Sequence, residues 1–222
     1  MNELLPPIFN SQKLMVAMKN FYWLALFTSS TFFVSCTKEM AREKNFGKIE
    51  APAVEPKAAI GEYVLYTIAQ GAHYADLTGL KSIKLSEMKF GVRFDSSAVY
   101  TTIDPHNQSD INKLYGFSEG LNNQYNSARI GWNWYNNKLN LYAYVYKKGV
   151  RSFKKITSVA IGAEHTCSIK VSGTNYIFTV NGVSITLSRA NKTSTASGFR
   201  QYPYFGGDET APHEITIRIK DL

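Results

Sequence analysis

Tyr176-Ile177-Phe178-Thr179-Val180, Asn181-Gly182, Val183-Ser184-Ile185-Thr186-Leu187 is two runs of β-forming residues joined by a single pair. Asn and Gly tolerate the positive φ angles of a type I′ turn, whose twist matches the strands it joins, so the stretch is predicted to be a β-hairpin. The same period of two recurs on both sides of it. Phe90, Val92 and Phe94 alternate with Gly91, Arg93 and Asp95, and Ile130, Trp132 and Trp134 with Arg129, Gly131 and Asn133. Leu139, Leu141, Ala143 and Val145 alternate with Asn140, Tyr142, Tyr144 and Tyr146, and Ile215, Ile217 and Ile219 with Thr216, Arg218 and Lys220. The three-and-four spacing of an amphipathic helix is nearly absent, which argues for an all-β fold. A second tight turn is expected at Asn136-Asn137, and one helical turn at Asp110 to Leu114. So many strands must stack as two sheets or close as a barrel, and a two-sheet antiparallel sandwich is expected.

Four segments carry a resemblance. The run from Lys155 to Leu187, with its Asn181-Gly182 turn, a long loop and an Ile-rich last strand, resembles the second half of concanavalin A-like lectin and glucanase sandwiches. Gln108 to Phe117, Asn126 to Trp132 and Tyr202 to His213 are similar to segments of small secreted Bacteroidetes proteins. The resemblance covers most of residues 61–222. It implies a concanavalin A-like jelly roll and a secreted life, not an activity, because this sandwich serves lectins, hydrolases, lyases and structural modules alike.

The amino-terminal end supplies an address. A segment with Lys13 and Lys19 precedes an apolar run from Phe21 to Val34, too short for a membrane span and built like a signal peptide. Phe33-Val34-Ser35-Cys36 resembles the bacterial lipobox, with Phe33 where Leu is usual; the resemblance implies cleavage before an acylated Cys36. Met18 is a better-placed start than Met1, since residues 1–17 would make a long leading segment containing Pro6 and Pro7. Lys38 and Glu39 are similar to the charged export signal of surface lipoproteins. The expected organisation is a signal peptide over 1–35, a lipidated tether over 36–60 and a β-sandwich over 61–222. The expected location is the bacterial envelope, as an outer-membrane lipoprotein that is periplasmic or surface-exposed. The tether, rich in Ala, Lys, Glu and Pro, would average roughly 25 Å end to end as mobile coil.

The chain has 25 Lys+Arg and 17 Asp+Glu, a net charge of +8. Without residues 1–35 the counts are 23 and 16, still near +7. This balance suits acidic glycans or lipid headgroups, with plain solubility as the alternative; nucleic acid is an unsuitable partner for an exported chain. Once Cys36 is acylated only Cys167 is left, so no internal disulfide forms, and Cys167 is expected as a buried small apolar residue.

Tyr142, Tyr144 and Tyr146 share one strand face at about 7 Å intervals, a ladder of rings on which the apolar faces of sugars can stack. Arg129 and Trp134 on the preceding strand complete the candidate glycan site. The alternative is that these Tyr pack beneath a loop. The loop Tyr202 to His213 is a further candidate, with Tyr204, Asp208, Glu209 and His213 as its functional side chains. Asp208 and Glu209 are candidates for calcium, but without the spacing of a dedicated calcium loop, and pairing with Arg200 or Arg129 is the favoured role. Glycoside hydrolysis needs two facing carboxyl groups, and no strand offers them. A uronate lyase would draw on Arg129, Tyr142, Tyr144 and His213. Non-catalytic glycan binding is therefore expected, with an enzyme acting on acidic polysaccharide and an envelope partner module as alternatives.

Overall fold

The computed structural model describes residues 61–222; the expectations for the signal peptide, Cys36 and the tether lie outside the described residues. Twelve strands follow in order: β1 (Val64–Ile68), β2 (Ser82–Leu85), β3 (Glu87–Phe94), β4 (Asn112–Ser118), β5 (Asn126–Tyr135), β6 (Lys138–Lys147), β7 (Val150–Val159), β8 (Glu164–Ser172), β9 (Asn175–Val180), β10 (Val183–Ser188), β11 (Ala196–Gln201) and β12 (Ile215–Asp221). They form two antiparallel six-stranded sheets, β1-β12-β3-β8-β9-β10 and β2-β11-β4-β5-β6-β7. The all-β two-sheet sandwich expected from the alternation is the observed fold.

The apolar members of each alternating run meet between the sheets. Phe90, Val92 and Phe94 of β3 and Ile215, Ile217 and Ile219 of β12 are buried, as are Ile130 and Trp132 of β5 and Leu141, Ala143 and Val145 of β6. Aromatic pairs cross the gap: Phe94 against Trp132 at 5.3 Å, Phe90 against Tyr115 at 5.1 Å and Phe117 against Tyr176 at 5.8 Å between ring centroids. Cys167 is buried among them, and desolvation pushes its thiol up to about 12, so it stays protonated and inert.

The hairpin turns are local chemistry. Asn181 and Gly182 take φ of 48° and 87°, Asn136 and Asn137 take 53° and 54°, and Lys148 and Gly149 take 51° and 80°. All three pairs supply the two positive φ values of a type I′ turn. The helical turn expected at Asp110 to Leu114 is displaced. A 3-10 turn spans Pro105–Ser109, capped by the Asp104 side chain with Pro at its start, while Asn112–Ser118 is drawn into β4 by pairing with β5 and β11. Among the described residues no helix is long and apolar enough to cross a membrane.

Candidate functional site

The second sheet has an outer face that is far from uniformly solvated, and its rows follow from register. Gln201 of β11 lies opposite Gly116 of β4, Gly116 opposite Arg129 of β5, Arg129 opposite Tyr144 of β6, and Tyr144 opposite Phe153 of β7. A parallel row runs through Tyr142, Gly131 and Lys113, then across to Tyr204 and Tyr74 by isolated bridges. A bulge between Lys113 and Tyr115 sets these rows, because it returns Tyr115 to the core while Lys113 and Gly116 both stay outside. Gly116 is required by closeness: a Cβ there would fall on the Ala128 carbonyl oxygen and on the backbone and stem of Arg129. Gly206 and Gly207 do the same for their loop, leaving room for the Lys113 ammonium and the Asp110 carboxylate.

The rows enclose a cavity of about 540 Å³, with Lys113, Arg129, Tyr144, Tyr146, Arg151 and Tyr204 among its walls. Tyr74, Leu80 and Leu121 form an exposed apolar lip, while Asn123, Gln124 and Gln201 supply amides. A smaller cavity of about 140 Å³ adjoins it toward Ser109, Asp110 and Phe153.

The floor is electropositive. Arg129 is 6% exposed, its Nε has no hydrogen-bond partner and no carboxylate pairs with it among the described residues. Its guanidinium lies 5.4 Å from the Tyr144 ring, and burial holds its pKa below the ordinary value against the opposing field of Tyr144. The Lys113 ammonium sits 5.1 Å from the Tyr144 ring and 5.7 Å from that of Tyr204. Desolvation, reinforced by Arg129 and Arg151, brings Lys113 down to about 8, with Asp110 opposing. Tyr144 goes the other way, pushed up to about 12 chiefly by burial. Among the described residues no Asp or Glu lines the 540 Å³ cavity.

The residues singled out in the sequence divide between this cavity and other places. Arg129, Tyr144, Tyr146 and Tyr204 line it; Tyr142 and Trp134 do not. The three Tyr are not equally open rings. Tyr144 is only 2% exposed, covered by Lys113, Arg129 and the Phe153 ring stacked on it at 6.4 Å, while Tyr142 and Tyr146 are half-buried. Tyr142 donates its hydroxyl to Asn133 at 3.2 Å, and Trp134 packs against the core.

Glu209 points away from the cavity and accepts the backbone N–H groups of Ile103 and Asp104, each at 2.8 Å, so it holds the loop through main chain and not through Arg200 or Arg129. Arg200 pairs with Asp221. Asp208 is exposed, and His213 bonds the Ser97 carbonyl at 2.9 Å. Among the described residues no group of three or more His, Cys, Asp or Glu is placed to hold a metal ion.

Lys113, Gln201 and Tyr74 were not visible as site residues in the sequence. Lys113 precedes the consecutive apolar pair Leu114-Tyr115, which breaks the alternation that would assign it a face, and the bulge there sets it outward. Arg151 stands in the sequence among Lys147, Lys148, Lys154 and Lys155, and nothing in their spacing singles it out. His73 is structural support: it bonds the Phe205 carbonyl at 2.8 Å and stacks on Tyr204 at 5.2 Å, fixing that ring over the cavity.

Fold and site together define a class: a two-sheet antiparallel β-sandwich with a cationic, aromatic-lined cavity across the outer face of one sheet. No family model matches the chain, and no curated protein matches it. Among solved structures, alginate lyase AlyC3 aligns at 12% identity and a TM-score of 0.49, over 72% of this chain and 74% of that one. A family 16 endo-glucanase from Bacteroides ovatus aligns at 11% identity and a TM-score of 0.47, over 74% and 84%. The carbohydrate-binding module CBM66 from Bacillus subtilis aligns at 8% and 0.36, over 72% and 93%. These are likenesses of general shape and carry no chemistry to this chain.

Proposed function

We propose that this chain is a lipid-anchored bacterial envelope protein whose sandwich binds an acidic glycan without transforming it. The carrying observation is Arg129, a buried guanidinium with an unpartnered Nε and, among the described residues, no carboxylate beside it, on the floor of an open cavity. An unpaired buried charge costs stability, and an incoming carboxylate or sulfate would supply the missing partner. Lys113 and Arg151 add charge of the same sign, so the field of the larger cavity favours an anion.

Tyr146, Tyr204 and Tyr74 give rings for the apolar faces of a sugar, and Asn123, Gln124 and Gln201 give donors and acceptors for its hydroxyls. Two observations favour binding over catalysis. Among the described residues no carboxyl group stands in the walls of the 540 Å³ cavity, whereas glycoside hydrolysis needs two. The Tyr144 phenol, held at about 12, is a poor base near neutral pH for abstracting the proton that a lyase removes. The envelope anchor rests on the sequence alone, on Cys36 and the apolar run before it.

The test is an array of neutral, uronate-containing and sulfated glycans probed with the full-length chain and with its R129M variant. Retention of anionic members, lost in the variant and accompanied by no product, is the expected result. New absorbance from an unsaturated uronide would replace binding by lyase activity. A flat array would move the chain to the role of partner for other envelope proteins.

A further inference from the structure

The length of the ligand can be read from the same surface, an inference that rests on the glycan-binding reading above. The two cavities share Lys113, Tyr144, Arg151 and Gly207 in their walls, so they are parts of one groove and not separate sites. The register row Gln201, Gly116, Arg129, Tyr144, Phe153 crosses five strands along it. Four interstrand steps of about 4.8 Å make that path roughly 19 Å, much longer than a single sugar ring.

Two cationic positions lie along it. Arg129 lines only the larger cavity, while Lys113 and Arg151 line both, Arg151 from the edge strand β7. Like Arg129, Arg151 has no carboxylate partner among the described residues; its guanidinium lies 5.8 Å from the Phe153 ring. Phe153 is 50% exposed and lines the smaller cavity but not the larger, its ring stacked on Tyr144 and the Asp110 carboxylate in the same wall.

We infer that the ligand is a linear anionic oligosaccharide lying across the strands. One charged unit seats on Arg129 and Lys113, and the next lies over Arg151 with its ring on Phe153. A charged monosaccharide fills only the first position. Joining two units makes the second contact intramolecular, so the dimer gains affinity beyond what charge alone gives the monomer.

Calorimetry on the full-length chain in detergent tests this with galacturonate and its di-, tri- and tetramers, and in parallel with heparin-derived oligosaccharides as the sulfated series. The expected result is a gain of about ten-fold or more from one charged unit to two in the series that binds. F153A and R151Q are both changes at exposed positions of an edge strand, where folding tolerates them. Each is expected to lower the affinity for the dimer several-fold more than that for the monomer. Equal affinity at every length, or an F153A variant that keeps the full gain, overturns the length inference and leaves the glycan reading standing. Failure of both series to bind at any length overturns the two together.

Discussion

A guanidinium shut away from water with one nitrogen unpartnered destabilises the chain that carries it. Replacing Arg129 by Met keeps the stem that lies beside Gly116 and removes the charge. R129M should therefore lose anionic-glycan binding yet unfold no earlier than the parent, with stability equal or higher by on the order of 1 kcal/mol by denaturant titration. A variant that binds like the parent, or that unfolds earlier, would show that Arg129 is not held for an anionic ligand. Lys113 adds a pH signature. Its pKa near 8 means that it is charged at neutral pH and discharges as pH rises through that value. Affinity for an acidic glycan should fall between pH 7 and pH 9.5, and K113M should flatten that fall. Stability has the opposite sign: the folded pKa lies below the unfolded one, so stability rises with pH from about 8 toward the ordinary lysine value.

Between elements, the firmest joint outside the core is Glu119 with Arg189. Arg189 follows β10 and Glu119 follows β4, so the pair ties an edge of the first sheet to the second. Arg189 Nε and one terminal nitrogen donate to Glu119 at 2.6 and 2.7 Å, and its other bonds go to the carbonyls of Gly173, Thr193 and Thr195 and to the Thr193 hydroxyl. The Tyr176 hydroxyl also donates to Glu119. E119Q leaves a buried guanidinium short of its counter-charge and should cost about 3 kcal/mol or more, measured as a lower denaturation midpoint. The Glu119 pKa is lowered by the bonds from Arg189, Tyr176 and Asn191, which outweigh the larger single effect of desolvation. Its contribution is present above the ordinary carboxylate range and disappears as pH falls through the depressed value, so the parent should lose stability in acid more steeply than E119Q.

The hairpins belong to this scale as well. Asn181 holds φ at 48° and accepts the Thr166 N–H at 3.0 Å through its side chain, so N181A should cost about 1 kcal/mol by the same titration. That turn was legible in the sequence because its chemistry is confined to two adjacent residues. β4 was not, because its pairing partners lie in β5 and β11, the latter about eighty residues on.

For the molecule as a whole, the anchor is the remaining question of chemistry. Mass spectrometry of the mature amino terminus should find acyl chains on Cys36, and C36S should move the protein from the membrane fraction to the soluble one; an unmodified terminus would remove the anchor from the proposal. Within the sandwich, the sequence alone determined which residues enter the core and where the chain reverses. Alternation assigns each strand's faces, and positive-φ pairs mark the turns, both being properties of neighbours in the chain. Only the tertiary structure decided that Lys113, Arg129, Tyr144 and Tyr204 converge while Tyr142 and Trp134 stand apart. Those positions are set by lateral register between distant strands and by one bulge, and register answers to the packing of both sheets at once, which no short stretch of residues encodes.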